Sequence, residues 1–114
     1  KIVIPDVLGN FNESESPGAL KFNIDGTEYS LDPTEASSGY FLIFADLTSG
    51  EETYGAGRFL YVEPADSTGK IYIDFNKAYN PPCAFTKYAT CPLPPKQNHI
   101  KLRLTAGEKN FGEH

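Results

Sequence analysis

Apolar and polar positions alternate most cleanly in two short runs, residues 19–24 and 27–31, separated by Asp25-Gly26. An Asp-Gly pair between alternating runs specifies a two-residue hairpin loop. That loop sets a register in which Ile24 faces Thr27, Phe22 faces Tyr29 and Leu20 faces Leu31, while Lys21, Asn23, Glu28 and Ser30 share the opposite face. Residues 40–45 are apolar at every position, the pattern of a strand covered on both faces, and are expected at the centre of the fold. Residues 58–62 and 70–75 read as two further strands, joined by turn formers over 64–69 into a second hairpin. Residues 99–104 alternate and supply a last strand, and Ile2-Val3-Ile4 adds a short edge strand before Pro5.

No stretch repeats apolar residues at helical spacing over a dozen positions, and Gly or Pro interrupts every longer run. The expected fold is therefore all-β, a small antiparallel barrel or sandwich of six to seven strands with one long proline-rich loop, in a single domain over residues 1–114. Residues 10–18 are polar and acidic, end in Pro17-Gly18, and read as a surface loop.

Composition strengthens this reading. At 114 residues one core suffices, and folding buries roughly two-thirds of the surface that the unfolded chain exposes. Seven Tyr and eight Phe, with no Trp or Met, suit half-buried pleated surfaces. Ten basic against fifteen acidic side chains give a net charge of -5, which repels a phosphate backbone, so no nucleic-acid partner is expected. No apolar run is long enough to cross a bilayer, and residues 1–5 are too short for a signal-peptide core. A chain that opens on Lys1 suggests processing or trimming, behind which a removed leader or lipid anchor would be invisible.

Candidate chemistry lies in two places. Residues 80–95 have no strand period and contain five prolines, and loops of this length are commonly functional or specially stabilised. Oxidation of Cys83 and Cys91 would close a nine-residue ring, worth roughly 2.6 kcal/mol on chain entropy. Two thiols in a reducing compartment are the alternative, and the disulfide is favoured. A metal would need further ligands, and only His99 and His114 are on offer, so neither metal nor cofactor is expected. No base is legible beside either cysteine to make it a nucleophile. In the second place, residues 46–58, Asp46, Thr48 and Ser49 bond their own backbone and Gly50 takes positive φ in a tight turn. Gly55-Ala56-Gly57 resembles half a phosphate loop, but a strand follows it where a helix is required. Arg58 and Asp74 are charges in otherwise apolar strands, and a charge driven inward must be paired. If the two strands pair, they meet. Asn76, Tyr79 and Asn80 follow Asp74 and are expected to cap and anchor the loop; Arg58, Asp74, Asn76 and Tyr79 together form the candidate ligand site.

These stretches carry a resemblance. Residues 46–50, 52–58 and 74–84, with 91–95, Asn98 and 106–109, are similar to signature segments of the domain-of-unknown-function family 1684, with a thinner likeness upstream at 18–22 and Asp25-Gly26. The resemblance implies a longer N-terminal part, for which no counterpart is expected here. Phe59 and Phe85 stand where the pattern has Tyr, and Ala45 where it has a basic residue. The resemblance implies no activity, substrate or catalytic set; exported or lipid-anchored members favour a cell-envelope location over a cytoplasmic one.

Two functional readings follow. The leading one is a non-catalytic binding or structural module with a surface groove lined by Tyr and Phe. The other is a small enzyme or ligand-binding protein, with Arg58 holding an anion and Asp74, Tyr79 or a thiol moving a proton. The second requires Arg58, Asp74 and Tyr79 to converge on one cavity.

Overall fold

The computed structural model describes residues 2–6, 8–14, 16–36, 39–69, 71–81, 84 and 91–109. Among the described residues there are seven strands: β1 (Ile2–Pro5), β2 (Phe11–Ser14), β3 (Leu20–Ile24), β4 (Thr27–Leu31), β5 (Thr34–Ala36), β6 (Gly39–Phe44) and β7 (Arg58–Val62). They form antiparallel ribbons β1-β2 and β3-β4 and a three-stranded sheet β5-β6-β7, not closed into a barrel. The described residues contain no α-helix, and 3-10 turns cover Phe75–Lys77 and Lys96–Asn98.

The β3-β4 hairpin has the register its turn dictates, with Leu20 opposite Leu31, Phe22 opposite Tyr29 and Ile24 opposite Thr27. Asp25 and Gly26 both take positive φ, 53° and 81°, the geometry that matches the right-handed twist of the strands. β6 lies at the middle of its sheet, and its unbroken apolar run follows from cover on both faces. On one face Leu42, Phe44, Leu60 and Val62 join Leu31, Ala78, Ile100 and Leu104, with Leu20, Phe22, Ile71 and Ile73 packed around them. On the other, Ile43 and Phe59 meet Ile2 and Ile4 of the β1-β2 ribbon, with Phe41 beside them. Each fully buried aliphatic side chain contributes roughly 2 kcal/mol of transfer free energy.

Three expectations are corrected. Residues 71–74 are not a strand, and β7 pairs instead with β6, Leu60 opposite Leu42. Among the described residues a single bridge from β7 towards this region joins Phe59 to Tyr79. Continuing that register would set Lys77 opposite Tyr61 and Phe75 opposite Glu63, but residues 75–77 are wound into a 3-10 turn, which ends the ladder. Residues 99–104 are alternately buried, yet form no strand and bend at Lys101 and Leu102. Their backbone runs parallel to residues 45–47, with Ile100 N donating to Ala45 O at 2.9 Å and Leu47 N to Leu102 O at 3.0 Å. The polar stretch 10–18 is not all loop: β2 pairs with β1 along its whole length, Ile4 opposite Asn12. Its polarity suits a strand with one neighbour and a solvent-facing surface.

Candidate functional site

Arg58 opens β7 on the face of the larger apolar cluster and is 1% exposed. Its guanidinium lies 5.3 Å from the centroid of the Phe44 ring. Nη2 donates to Leu104 O at 2.8 Å and stands 3.4 Å from Asp46 Oδ2, while Nη1 donates to Ala106 O and, at 3.4 Å, to Glu108 O. Burial pulls the pKa of this group below the ordinary arginine value, and the Asp46 carboxylate opposes that shift. The other carboxylate oxygen, Asp46 Oδ1, accepts from Thr48 N at 3.0 Å and Thr48 Oγ1 at 2.6 Å, and Leu104 N donates to Oδ2 at 2.9 Å. One carboxylate thus serves the turn, the arginine and the C-terminal segment together. Its fork of donors binds Arg58 to the chain's own carbonyls, an arrangement that fastens residues 104–108 to the sheet.

Asp74 does not reach Arg58. It caps the 3-10 turn at Phe75–Lys77 from an exposed position, Oδ1 accepting from Asn76 N at 3.0 Å. Tyr79 exchanges backbone hydrogen bonds with Phe59, at 2.8 and 2.9 Å, and its ring meets the Phe59 ring edge-on at 5.8 Å. Asn80 is an anchor: its N–H donates to Glu108 Oε1 at 2.7 Å and its Nδ2 to Lys109 O at 3.0 Å. The four candidates are therefore split among a buried arginine, an exposed turn holding Asp74 and Asn76, and Tyr79, which is paired to Phe59 of β7. Cys83 lies outside the described residues, as do 85–90 of the proline-rich loop, while Cys91 is buried.

Of several surface clefts between about 200 and 420 Å³, two are lined by three or more polar side chains beside apolar ones. The first, about 380 Å³, opens between the β1-β2 ribbon and the central sheet and is lined by Ile4, Pro5, Phe41, Ile43 and Pro92, with Asp6, Asn12 and Thr34 at its rim. Its rim groups hold local backbone: Asp6 Oδ1 accepts from Leu8 N at 2.9 Å and Asn10 N at 3.1 Å, and Thr34 Oγ1 donates to Phe41 O at 3.5 Å. The second, about 330 Å³, is lined by Tyr61, Glu63, Pro64, Asp66, Tyr72, Asp74 and Lys77. It forms where the β7 ladder stops and the chain from Tyr72 to Lys77 stands off from the strand. Tyr61 and Tyr72 are 39% and 68% exposed, so two large aromatic rings meet solvent in one cleft. The side chains of Glu63, Tyr72 and Lys77 make no hydrogen bond or ion pair among the described residues.

Of the sequence candidates, Asp74 alone lines this cleft; Tyr61, Glu63, Tyr72 and Lys77 were not anticipated. A signal existed for the tyrosines. Each is the outward member of an alternating run, Tyr61 between Leu60 and Val62 and Tyr72 between Ile71 and Ile73, at opposite ends of one turn-rich connection. Among the described residues no group of three His, Cys, Asp or Glu side chains is placed to hold a metal ion, and no helix is long and apolar enough to cross a membrane.

A family model described as a protein of unknown function (DUF1684) matches residues 1–109, and the chain belongs to that family. The chain is also similar to a solved structure, the uncharacterized protein from gene locus rrnAC0354 of Haloarcula marismortui determined by solution NMR, at 31% identity with a TM-score of 0.73. The alignment covers 100% of this chain and 66% of that one, so the chain spans just under two thirds of that relative's length. No curated protein matches the chain.

Proposed function

We propose that this chain is a non-catalytic binding module of the cell envelope and that it receives its ligand in the cleft between Tyr61 and Tyr72. The observation that carries this reading is the convergence of two solvent-facing tyrosines with Glu63, Asp74 and Lys77 in one concavity of about 330 Å³. Ligand sites combine apolar walls with a few placed polar groups, and exposed aromatic side chains in a concavity are the usual mark of one. Tyrosine is suited to the task because its large amphipathic ring has few rotamers to lose on binding. The alternative, an anion or acid/base site built on Arg58, draws no support from that residue's surroundings, since its guanidinium faces Asp46 and main-chain carbonyls.

The test is a fragment titration of the ¹⁵N-labelled chain. Shift changes clustering at Tyr61, Glu63, Tyr72, Asp74 and Lys77 are expected, and clustering at Ile4, Phe41 and Ile43 instead would move the site to the other cleft and sink this reading. Pairing of Cys83 with Cys91 belongs to the same proposal. It is supported by the even cysteine count and by the absence of a free thiol at Cys91. Alkylation of the unfolded, unreduced protein followed by intact mass should add no label; uptake of two labels excludes the bond.

A further inference from the structure

Resting on the reading of the Tyr61–Tyr72 cleft as the binding site, we infer that its ligand is an uncharged oligosaccharide. The charge pattern of the cleft narrows the choice. Among the described lining residues Glu63, Asp66 and Asp74 stand against one cation, Lys77, and the chain as a whole carries -5, so an anionic ligand meets repulsion at short and long range. A cation fares little better. Asp66 Oδ1 is taken by Thr68 N at 2.9 Å and Thr68 Oγ1 at 2.6 Å, Asp74 Oδ1 is taken by Asn76 N, and Lys77 shares the same wall. What attraction remains is that of exposed carboxylates, which water and salt screen almost completely. A wholly apolar ligand would leave Glu63 and Lys77 desolvated without partners, which is costly.

A neutral, hydroxyl-rich ring avoids all three penalties. Its hydroxyls donate to Glu63 and to the second oxygen of Asp74 and accept from Lys77, and its C–H face lies on a tyrosine ring. The wall is also built in advance. Tyr61 is held in β7 opposite Phe41, and Asp74 and Lys77 are fixed as the cap and last residue of one 3-10 turn. Such preorganisation spares the binding event part of its ordering cost.

The inference is tested by titrating the intact chain with maltotriose, cellotriose and chitotriose, with spermidine and inorganic pyrophosphate as charged probes, in low and high salt. At least one trisaccharide should produce saturable shifts at Tyr61, Tyr72, Asp74 and Lys77, with an affinity unchanged by salt. Tyr72→Ala, at a solvent-facing position, should retain the folded spectrum and weaken that affinity about tenfold or more. Silence from all three trisaccharides, or binding that survives Tyr72→Ala, overturns the inference. If fragments still cluster in the cleft while the trisaccharides are silent, the ligand class falls and the site stands; if nothing binds there, both fall. Spermidine binding that weakens with salt, without trisaccharide binding, would replace the neutral ligand by a cationic one.

Discussion

At the scale of single residues, the fold depends on a few buried polar groups that each do several jobs. Arg58→Met should cost about 3–5 kcal/mol in urea unfolding, because it strands the Asp46 carboxylate and the Leu104 carbonyl in the interior. The double change with Asp46→Asn should cost less than the sum of the two single changes, since the stranded charge is then gone; strict additivity would show that the pair does not interact. Asn98, 0% exposed, is the second such group. It accepts from Asp32 N at 2.8 Å and donates to Asp32 O at 2.9 Å and Ile43 O at 3.0 Å, tying the end of β4 to β6. Asn98→Ala leaves all three unpaired and should lower stability by about 3 kcal/mol, measured as a fall in the urea midpoint at unchanged m; a change under about 1 kcal/mol would mean that water replaces the side chain. The need for a partner to Arg58 was legible in the sequence, and its identity was not. Asp46 looked fully used by its turn, because a linear reading assigns a carboxylate one task, whereas its two oxygens accept from opposite sides. Asn98 stood out only through the family resemblance, since an asparagine bonding across 66 positions leaves no local trace.

At the scale of elements, alternation proved a reliable guide to which way side chains face and a poor guide to which backbones pair. Ile71, Ile73 and Phe75, and likewise Ile100, Leu102 and Leu104, all turn to the larger apolar cluster as their spacing requires. Neither segment joins a ladder. Burial is set by side-chain period, but pairing depends on a partner's register and on the turns beside it, and the 3-10 turn capped by Asp74 is decided by three residues rather than by any period. The β3-β4 hairpin was fully legible because its turn alone fixes its register. The cleft was not, since it is the space left where the β7 ladder ends. Turns separate into two kinds by what surrounds them. Gly26 has a φ of 81° with nothing near the position of an added Cβ, so Gly26→Ala should cost about 1 kcal/mol from backbone conformation alone. Gly57 has a φ of 95°, and an added Cβ would lie 2.6 Å from both Phe44 O and Pro94 Cγ. Gly57→Ala should therefore cost about 3 kcal/mol or more, displacing residues 93–95 from the sheet. Thermal unfolding of the two variants compares them directly, and equal losses would show that the contact with Pro94 is not tight.

At the scale of the whole molecule, the two faces of the central sheet are unequally secured. A radius of gyration of 14.0 Å is close to the roughly 13 Å of a compact chain this long, so the layers are packed together. Among the described residues the larger cluster has eight buried members, drawn from strands and from the segments around Ala78, Ile100 and Leu104, and Arg58 and Asn98 cross-tie it. The smaller has four, and the β1-β2 ribbon is held beyond them mainly by Leu93 N donating to Pro5 O at 2.7 Å and by the bridge from Asp6 to Pro92. The outer face of the ribbon adds little, as Val3 and Phe11 are exposed. Local opening starts where few apolar contacts hold an element, so the ribbon should lift from the sheet well below the free energy of global unfolding. Hydrogen exchange should then show the β1-β2 ladder amides less protected than those of Leu42 and Leu60. Ile4→Ala, which removes about 2–4 kcal/mol of packing from the smaller cluster, should speed exchange in the ribbon far more than at Leu42 or Leu60. Because the ribbon roofs the cleft lined by Ile4, Phe41 and Ile43 and lies away from Tyr72, the same substitution should leave ligand affinity at the tyrosine cleft unchanged. Uniform acceleration across all amides would instead make ribbon and sheet one cooperative unit, with both faces secured together.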